Sequence, residues 1–383
     1  MGSRRRRIAV GGALVVLLLA AATEAFPGPL EPGQKTSWQP PNPDLYAVAA
    51  RGDHVWAVGY WGAVLRSQDA GATWTVLQTP THATLSGVSF ADERNGWVVG
   101  QMGAVLRTRD GGDSWEPQRV QVEDETGGAR PLGIHLFAVA AVSPTAAWAV
   151  GDLGVVIRTE DGERWRKVEL PESLLADGQV PDRIYNAVVF SDPAHGWIVG
   201  EFGTTLRTSD GGATWTSART FVDAVEELYL FDVSAPDARR AAAVGLGGSV
   251  VVTDDGGATW RGRSVDTSAG LFGVVWNDER ATVVGDRGEI YATGDRGASW
   301  KSAQRPRLFN WIQAVAGADA ARLYAVGEKG LVLASSDGGA SWSQLLGREP
   351  PPSAAISIPE AGPRADPGLQ EQALPVLGEP GGS

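Results

Sequence analysis

The chain contains no cysteine, and its 383 residues include only four histidines, His54, His82, His135 and His195. Disulfides, thiolate nucleophiles and thiolate-bound metals all require cysteine, so the sequence excludes these kinds of site. Four scattered histidines also exclude a histidine-rich metal cluster. We therefore expect no metal and no cofactor, and the folded chain must obtain its stability from packing.

Positive charge is also scarce, since 33 lysines and arginines face 45 aspartates and glutamates and the formal net charge is -12. An acidic protein repels nucleic acid and anionic membrane surfaces, so we expect no nucleic-acid partner. The strongly basic block at residues 4–7 is the exception, and it precedes an apolar run over residues 8–22. This arrangement is typical of an export signal, which we place at residues 1–25.

A long hydrophobic run is lacking too. The run over residues 8–22 has fifteen residues, which is fewer than the roughly 20 that span a bilayer. A cleaved signal is therefore favoured, with an uncleaved N-terminal anchor as the alternative. We expect contact with a membrane only through this segment or through a partner. At the other end, residues 347–383 contain eight prolines and no strand pattern, which predicts a disordered tail rich in proline and glycine.

Glycine and tryptophan are abundant instead, at 50 and 15 residues. Many belong to a segment of the form S/T-x-D-x-G-x-T/S-W, called the box below. Its aspartate and hydroxyl side chains suit a turn that the tryptophan packs onto a sheet, so we interpret the aspartates as structural rather than catalytic. The box recurs at 67–74, 108–115, 208–215, 253–260, 293–300 and 335–342, and a seventh copy at 159–165 is one residue shorter.

A second signature, V-G-x-x-G, precedes each box, at 58–62, 99–103, 150–154, 199–203, 244–248, 284–288 and 326–330. Glycines at both ends of a two-residue connection, flanked by alternating apolar residues, are typical of a hairpin. Each unit therefore predicts four strands. Seven units predict an all-β fold, a seven-bladed β-propeller with four-stranded antiparallel blades over residues 38–346. Residues 35–38 resemble the end of a box and are a candidate strand for closing the ring with the last blade.

Two positions of the repeat change after the fourth blade. The second residue of the V-G-x-x-G connection is large and apolar in four units and then changes, in the order Trp61, Met102, Leu153, Phe202, Gly247, Arg287, Lys329. The fourth residue after the second glycine is Arg66, Arg107, Arg158 and Arg207, then Val252, Ala292 and Ala334. Exposed apolar groups near arginine are enriched at interfaces, so we predict a partner-binding arc formed by these four apolar residues and four arginines. In the alternative interpretation, the apolar residues cover neighbouring hairpins, and the arginines pack between blades and pair with box carboxylates.

The box resembles the bacterial-neuraminidase or Asp-box repeat, which implies a turn between the third and fourth strands of a blade. The whole unit, carried best by residues 95–112 and 195–215, resembles the seven-bladed assembly and stability factors of photosystem II in cyanobacteria and chloroplasts. The resemblance implies a propeller without catalysis that binds newly made reaction-centre subunits on the lumenal side, partly through arginines. We therefore expect an exported, monomeric scaffold in the periplasm or the thylakoid lumen, whose partner is a client membrane-protein subunit or an assembly complex.

Two alternatives stay open. Cyanobacterial members of that family are typically lipoproteins, and related domains occur in bacteria without photosynthesis, so this cysteine-free chain could be an exported Asp-box propeller serving another envelope complex. A sialidase-like glycoside hydrolase comes third. It would need a tyrosine nucleophile paired with glutamate, and Tyr229 beside Glu226 and Glu227 is the sole candidate in the sequence. A sialidase would also need an F-R-I-P segment, which the sequence lacks, so we expect no enzyme.

Overall fold

The computed structural model describes residues 42–123, 129–171, 174, 183–217, 220–222 and 228–347. The predicted signal at residues 1–25, the candidate closing strand at 35–38 and the predicted tail beyond Gly347 lie outside these ranges. Within them, no helix has both the length and the apolar character that crossing a bilayer requires.

Strands are the main regular structure of the described chain. Blade 1 holds β1 (Leu45–Arg51), β2 (His54–Gly59), β3 (Val64–Ser67) and β4 (Thr75–Leu77), and blade 2 holds β5 (Leu85–Phe90), β6 (Gly96–Gly100), β7 (Val105–Thr108) and β8 (Glu116–Pro117). A hairpin of β9 (Gln121–Glu123) and β10 (Ala129–Pro131) follows. Blade 3 holds β11 (Leu136–Ala141), β12 (Ala147–Gly151), β13 (Val156–Thr159) and β14 (Arg166–Lys167).

The remaining blades repeat this order. Blade 4 holds β15 (Tyr185–Phe190), β16 (Gly196–Gly200), β17 (Thr205–Thr208) and β18 (Thr216–Ser217), and β19 (Thr220–Val222) follows it. Blade 5 holds β20 (Leu230–Ser234), β21 (Ala241–Gly245), β22 (Val250–Thr253) and β23 (Thr259–Arg263). Blade 6 holds β24 (Leu271–Asn277), β25 (Arg280–Gly285), β26 (Ile290–Thr293) and β27 (Lys301–Ser302), and blade 7 holds β28 (Ile312–Gly317), β29 (Leu323–Gly327), β30 (Val332–Ser335) and β31 (Ser343–Leu346).

These described strands confirm the predicted seven-bladed propeller. Each blade contains four consecutive strands that pair in chain order, and every pair within the four is antiparallel, as in β1 with β2. Two features were not predicted. The connection between blades 2 and 3 contains the β9–β10 hairpin, and β19 adds to blade 5 as a fifth strand, parallel to β23.

The core lies between neighbouring blades. The second strand of a blade is buried at every position, as in β12, except for the first residues of β2 and β25, because both faces of its sheet are covered by adjacent sheets. Between blades 2 and 3, Trp97 and Val99 pack with Leu136, Ile157 and Trp165. Burial of apolar side chains of this size contributes about 1.5–3 kcal/mol each, so the interblade contacts stabilise the ring.

The ring closes by packing of blade 7 against blade 1. Leu45 and Val48 of β1 share a buried cluster with Tyr324 and Val326 of β29. The Tyr324 hydroxyl also donates to the Ala70 carbonyl oxygen at 3.0 Å. In the described chain, the fourth strand of blade 7 is β31, which follows β30 in sequence. The described contacts therefore close the ring through the faces of two sheets.

The boxes are tight turns between the third and fourth strands. In blade 1, the Asp69 carboxylate accepts the Thr73 N–H at 2.8 Å and the Thr73 hydroxyl at 2.6 Å. The Ser67 hydroxyl accepts the Gly71 N–H at 2.8 Å. The Thr73 and Ser67 bonds hold the pKa of Asp69 at about 2. The carboxylate is thus used inside the turn, which supports the structural interpretation of the box.

Candidate functional site

The connections between second and third strands are single 3-10 turns in the described chain, and the face that carries them is called the turn face below. They span Tyr60–Gly62, Gln101–Gly103, Asp152–Gly154, Glu201–Gly203, Leu246–Gly248, Asp286–Gly288 and Glu328–Gly330. The boxes lie at the other ends of the third strands, on the box face.

Close backbone packing holds each turn in place. The Asp152 N–H donates to the His135 carbonyl oxygen at 2.9 Å, and a Cβ added to Gly151 would lie 2.0 Å from that oxygen. Gly200 would likewise place a Cβ 2.1 Å from the Ile184 carbonyl oxygen. The first glycine of V-G-x-x-G is therefore required by steric contact with the residue that precedes the first strand of the same blade.

The middle residue of each turn adopts the left-handed region. The φ angle is 59° at Trp61, 56° at Met102, 53° at Leu153 and 54° at Phe202. This conformation costs a residue with a Cβ roughly 1–2 kcal/mol, and blade 5 avoids the cost by using Gly247. Bulky side chains kept in a strained, exposed turn are typical of a functional surface.

Three of the four predicted apolar residues are exposed. Met102 is 68 % exposed, Leu153 56 % and Phe202 60 %, whereas Trp61 is half-buried with its ring 5.0 Å from that of His82. Leu246, which is the first residue of the blade 5 turn, is 45 % exposed. Met102, Leu153, Phe202 and Leu246 are called the exposed arc below. The sequence analysis did not select Leu246, because it considered only the second residue of each turn.

The predicted arginines lie on the box face and not beside the exposed arc. Arg66 donates to the Gly111 carbonyl oxygen at 2.9 Å and to Asp113 at 2.7 Å. Arg107 donates to the Gly162 carbonyl oxygen at 2.7 Å. Each acceptor belongs to the box of the next blade, and both arginines are buried. The structure therefore does not bring these two arginines into one patch with the exposed arc and instead packs them between blades, while a partner-binding role stays a prediction.

Arg158 and Arg207 follow the same pattern in part. Arg207 donates to the Gly256 carbonyl oxygen of the blade 5 box at 3.0 Å. Arg158 pairs with Glu160 at 3.2 Å and lies 5.4 Å from the Trp148 ring centroid. The four arginines thus belong to the contacts of the box face.

The second-strand tryptophans explain why the arginines end at blade 4. Each arginine is the cross-strand neighbour of a tryptophan, in the pairs Trp56 with Arg66, Trp97 with Arg107, Trp148 with Arg158 and Trp197 with Arg207. In blades 5 to 7 both members of the pair are replaced, as Ala242 with Val252, Thr282 with Ala292 and Tyr324 with Ala334. The tryptophan and the arginine therefore pack as a pair. Both are absent from blades 5 to 7 because each requires the other as its cross-strand neighbour.

Two carboxylates lie within the turn face next to the exposed arc. Asp152 and Glu201 are the first residues of the blade 3 and blade 4 turns, and both are half-buried. Burial raises the pKa of Asp152 above its usual range. Burial also raises the pKa of Glu201, a backbone hydrogen bond to Ile184 opposes this in part, and the charge of Asp152 raises the pKa further. Sequence analysis did not select this pair, although the alternation of acidic and apolar letters in D-L-G and E-F-G was visible.

A serine and a histidine lie within hydrogen-bonding distance of each other in the described part of the chain. The Ser86 hydroxyl lies 2.6 Å from His135 Nε2, and burial lowers the pKa of His135 to about 4. No described carboxylate is bonded to that histidine, so the pair joins blades 2 and 3 without a third catalytic partner. Tyr229 lies with its ring 5.3 Å from that of Phe202, and the two glutamates predicted beside it lie outside the described residues. No group of three His, Asp or Glu side chains in the described ranges could hold a metal ion.

Solved structures show the same fold in other proteins. A YCF48 bound to a D1 peptide is 22% identical and covers 70% of this chain and 82% of its own, with a TM-score of 0.55. YCF48 from Cyanidioschyzon merolae is 19% identical, with coverage of 79% and 98% and a TM-score of 0.61. A GH74 xyloglucanase from Xanthomonas campestris is 16% identical, with coverage of 82% and 56% and a TM-score of 0.59. At these identities the likeness establishes the propeller fold alone.

Sequence comparison identifies the family. No curated protein matches the chain. The model of the family described as photosynthesis system II assembly factor YCF48 matches residues 68–180 and 177–307. These ranges cover more than half of the chain and most of the propeller. The chain therefore belongs to the YCF48 family of photosynthesis system II assembly factors.

Proposed function

We propose that this protein is an exported, non-catalytic scaffold that holds a client protein subunit during assembly of photosystem II. The family match over residues 68–307 supports the assembly role, and the YCF48 structure bound to a D1 peptide supports a peptide of a client subunit as ligand. The observation that carries the proposal for this chain is the exposed arc. It places four large apolar side chains on one face, three of them at left-handed turn positions, where a partner covers them.

Affinity capture tests this proposal directly. The tagged full chain is incubated with solubilised membranes of the cells that make it, and retained proteins are identified by mass spectrometry. We expect photosystem II subunits to be retained. The double variant Met102→Ser and Phe202→Ser should retain much less while its Tm stays within about 2 °C, because surface substitutions change stability by roughly 0.5 kcal/mol or less. Val76→Ser is the matched control, since Val76 is 54 % exposed but lies on β4, away from the arc.

A client from another envelope complex is the second candidate. Two observations favour it: the chain has no cysteine for a lipid anchor, and Arg66 and Arg107 are buried between blades rather than presented to a partner. The same capture experiment separates the two candidates. Retention of envelope subunits without photosystem II subunits would support the second and contradict the first.

A glycoside hydrolase is the third candidate, and the propeller of the GH74 xyloglucanase is its only support among the comparisons described above. We propose that the chain has no such activity, because the box carboxylates are bonded within their own turns. Incubation with a fluorogenic sialoside and with xyloglucan checks this. Robust turnover by wild type that is lost on replacing one described carboxylate would contradict a pure scaffold.

Export is proposed from residues 1–25 and is tested separately. Fractionation of the producing cells should place the protein outside the cytoplasm, and sequencing of the mature N-terminus should begin near residue 26. An unprocessed chain in the membrane fraction would favour the anchored alternative.

A further inference from the structure

The first residue of the turn is acidic in four blades, and the following residue differs. In blade 6, the Asp286 carboxylate lies 3.5 Å from the guanidinium of the next residue, Arg287. In blade 7, the Glu328 carboxylate lies 3.7 Å from the ammonium of the next residue, Lys329. These two turns therefore carry their own counterion on the turn face.

Blades 3 and 4 have the same acidic position without the counterion. Asp152 and Glu201 are followed by Leu153 and Phe202, which are exposed apolar side chains. Neither carboxylate forms an ion pair with any described residue. The guanidinium of Arg183 donates to the Thr204 hydroxyl at 3.0 Å.

These carboxylates are also in an unfavourable environment. Both are half-buried and burial raises the pKa of each; for Glu201 a backbone hydrogen bond to Ile184 lowers the pKa in part, and the charge of Asp152 raises it. A partly desolvated carboxylate is stabilised by an opposite charge within hydrogen-bonding distance. A ligand that supplies cations to both turns and covers Leu153 and Phe202 would relieve the cost of burial and of apolar exposure together.

We propose that the turns of blades 3 and 4 bind a segment of a partner protein in which lysine or arginine stands beside apolar side chains. The cations contact Asp152 and Glu201, and the apolar side chains contact Leu153 and Phe202. This inference rests on the proposed scaffold function and specifies the chemistry of its client. A second copy of the chain carries the same net charge of -12, and an anionic membrane would be repelled, so charge complementarity favours a basic protein segment over both.

Peptide binding provides the first test. Three fluorescent peptides share one apolar sequence and carry arginine, glutamine or glutamate at the same two positions, and binding to the purified full chain is followed by anisotropy. We expect the arginine peptide to bind most tightly and to weaken as salt is raised. The Asp152→Asn and Glu201→Gln double variant should bind it about tenfold more weakly. The Asp286→Asn and Glu328→Gln double variant is the matched control and should bind like wild type.

Equal affinity for the arginine and glutamine peptides, or an equal loss in both double variants, would overturn the inference. Weakening confined to the blade 3 and 4 variant would support it. Concentration-dependent dimerisation that is abolished by the same variant would instead assign the face to a second copy and overturn the proposal of a basic client.

A charge-transfer variant provides the second test. Leu153→Arg with Phe202→Lys reproduces the sequences of the blade 6 and blade 7 turns, in which Arg287 and Lys329 already adopt the same backbone conformation. The fold should therefore be retained, and the new cations should pair with Asp152 and Glu201. Binding of both the arginine peptide and the client should then be lost. If the wild type retains a client and this variant retains it equally, the inference fails while the scaffold function stands. If the wild type retains no client at all, the proposed function itself fails.

Discussion

Trp56 and Arg66 bond to the same acceptor. The Trp56 indole N–H and the Arg66 guanidinium donate to the Gly111 carbonyl oxygen at 2.8 and 2.9 Å. Gly111 lies in the box of blade 2, so two neighbouring strands of blade 1 reach one turn of the next blade. The box thus receives a contact from the preceding blade in addition to closing its own hairpin, which makes it a joint between blades.

Removal of a buried arginine from this joint should destabilise the ring. Arg107 donates to the Gly162 and Pro144 carbonyl oxygens at 2.7 and 2.9 Å. Arg107→Ala leaves both acceptors without this donor and should lower the free energy of unfolding by about 2–3 kcal/mol. Arg158→Ala is the control, because that side chain is 31% exposed and its pair with Glu160 lies at the surface, so the loss should be about 1 kcal/mol or less. Urea unfolding measures both, and equal losses would contradict the assignment.

The first glycine of the turn should tolerate no side chain. A Cβ at Gly151 would lie 2.0 Å from the His135 carbonyl oxygen, so Gly151→Ala must shift the backbone and should cost at least about 2 kcal/mol. Gly133 has no atom within 4 Å of an added Cβ, and Gly133→Ala should be neutral or stabilising by a few tenths of a kcal/mol. Thermal unfolding compares the two, and a Tm for Gly151→Ala equal to that of wild type would refute the steric argument.

Relief of backbone strain on the turn face should raise stability. Met102 is 68 % exposed with φ at 56°, so Met102→Gly removes a left-handed cost of roughly 1–2 kcal/mol and adds a glycine entropy cost of about 0.5–1 kcal/mol. The net expectation is a gain of about 0.5 kcal/mol. Val76→Gly, in an exposed strand position without left-handed backbone, should lose stability. A loss of similar size in both variants would show that Met102 is not strained.

The boxes should make the protein sensitive to acid. Hydrogen bonds hold the pKa of Asp69, Asp210, Asp255 and Asp295 at about 2. A pKa that folding lowers gives stability that is complete above the unfolded value, near 3.9, and is lost as pH falls toward the folded value. The Tm should therefore fall between pH about 4 and about 2. Asp69→Asn should lower the Tm at neutral pH and flatten the fall in acid, and an unchanged slope would contradict this role.

Local chemistry made the fold predictable. The box specifies its turn through contacts within a few residues, such as the Asp69 carboxylate with Thr73, and the first glycine of V-G-x-x-G contacts a carbonyl of the same blade, as Gly151 does with His135. Their sevenfold recurrence therefore predicted the blades and their strand order. The position of Leu246 and the half-buried state of Trp61 were not predictable in this way, because exposure depends on neighbouring blades.

The sequence by itself determined the number of blades, the structural use of the box aspartates and the family resemblance, because each rests on short-range patterns that repeat along the chain. Only the tertiary structure decided which side chains form the functional face. Arg107 and Met102 follow the same blade boundary in sequence, yet Arg107 reaches the box of the next blade and Met102 is exposed on the turn face. A strand joins the two positions, and it separates them because its ends lie on opposite faces of the ring. The role proposed for Asp152 and Glu201 also depended on the tertiary structure, because only the structure shows that their turns lack the counterion that the acidic turns of blades 6 and 7 carry.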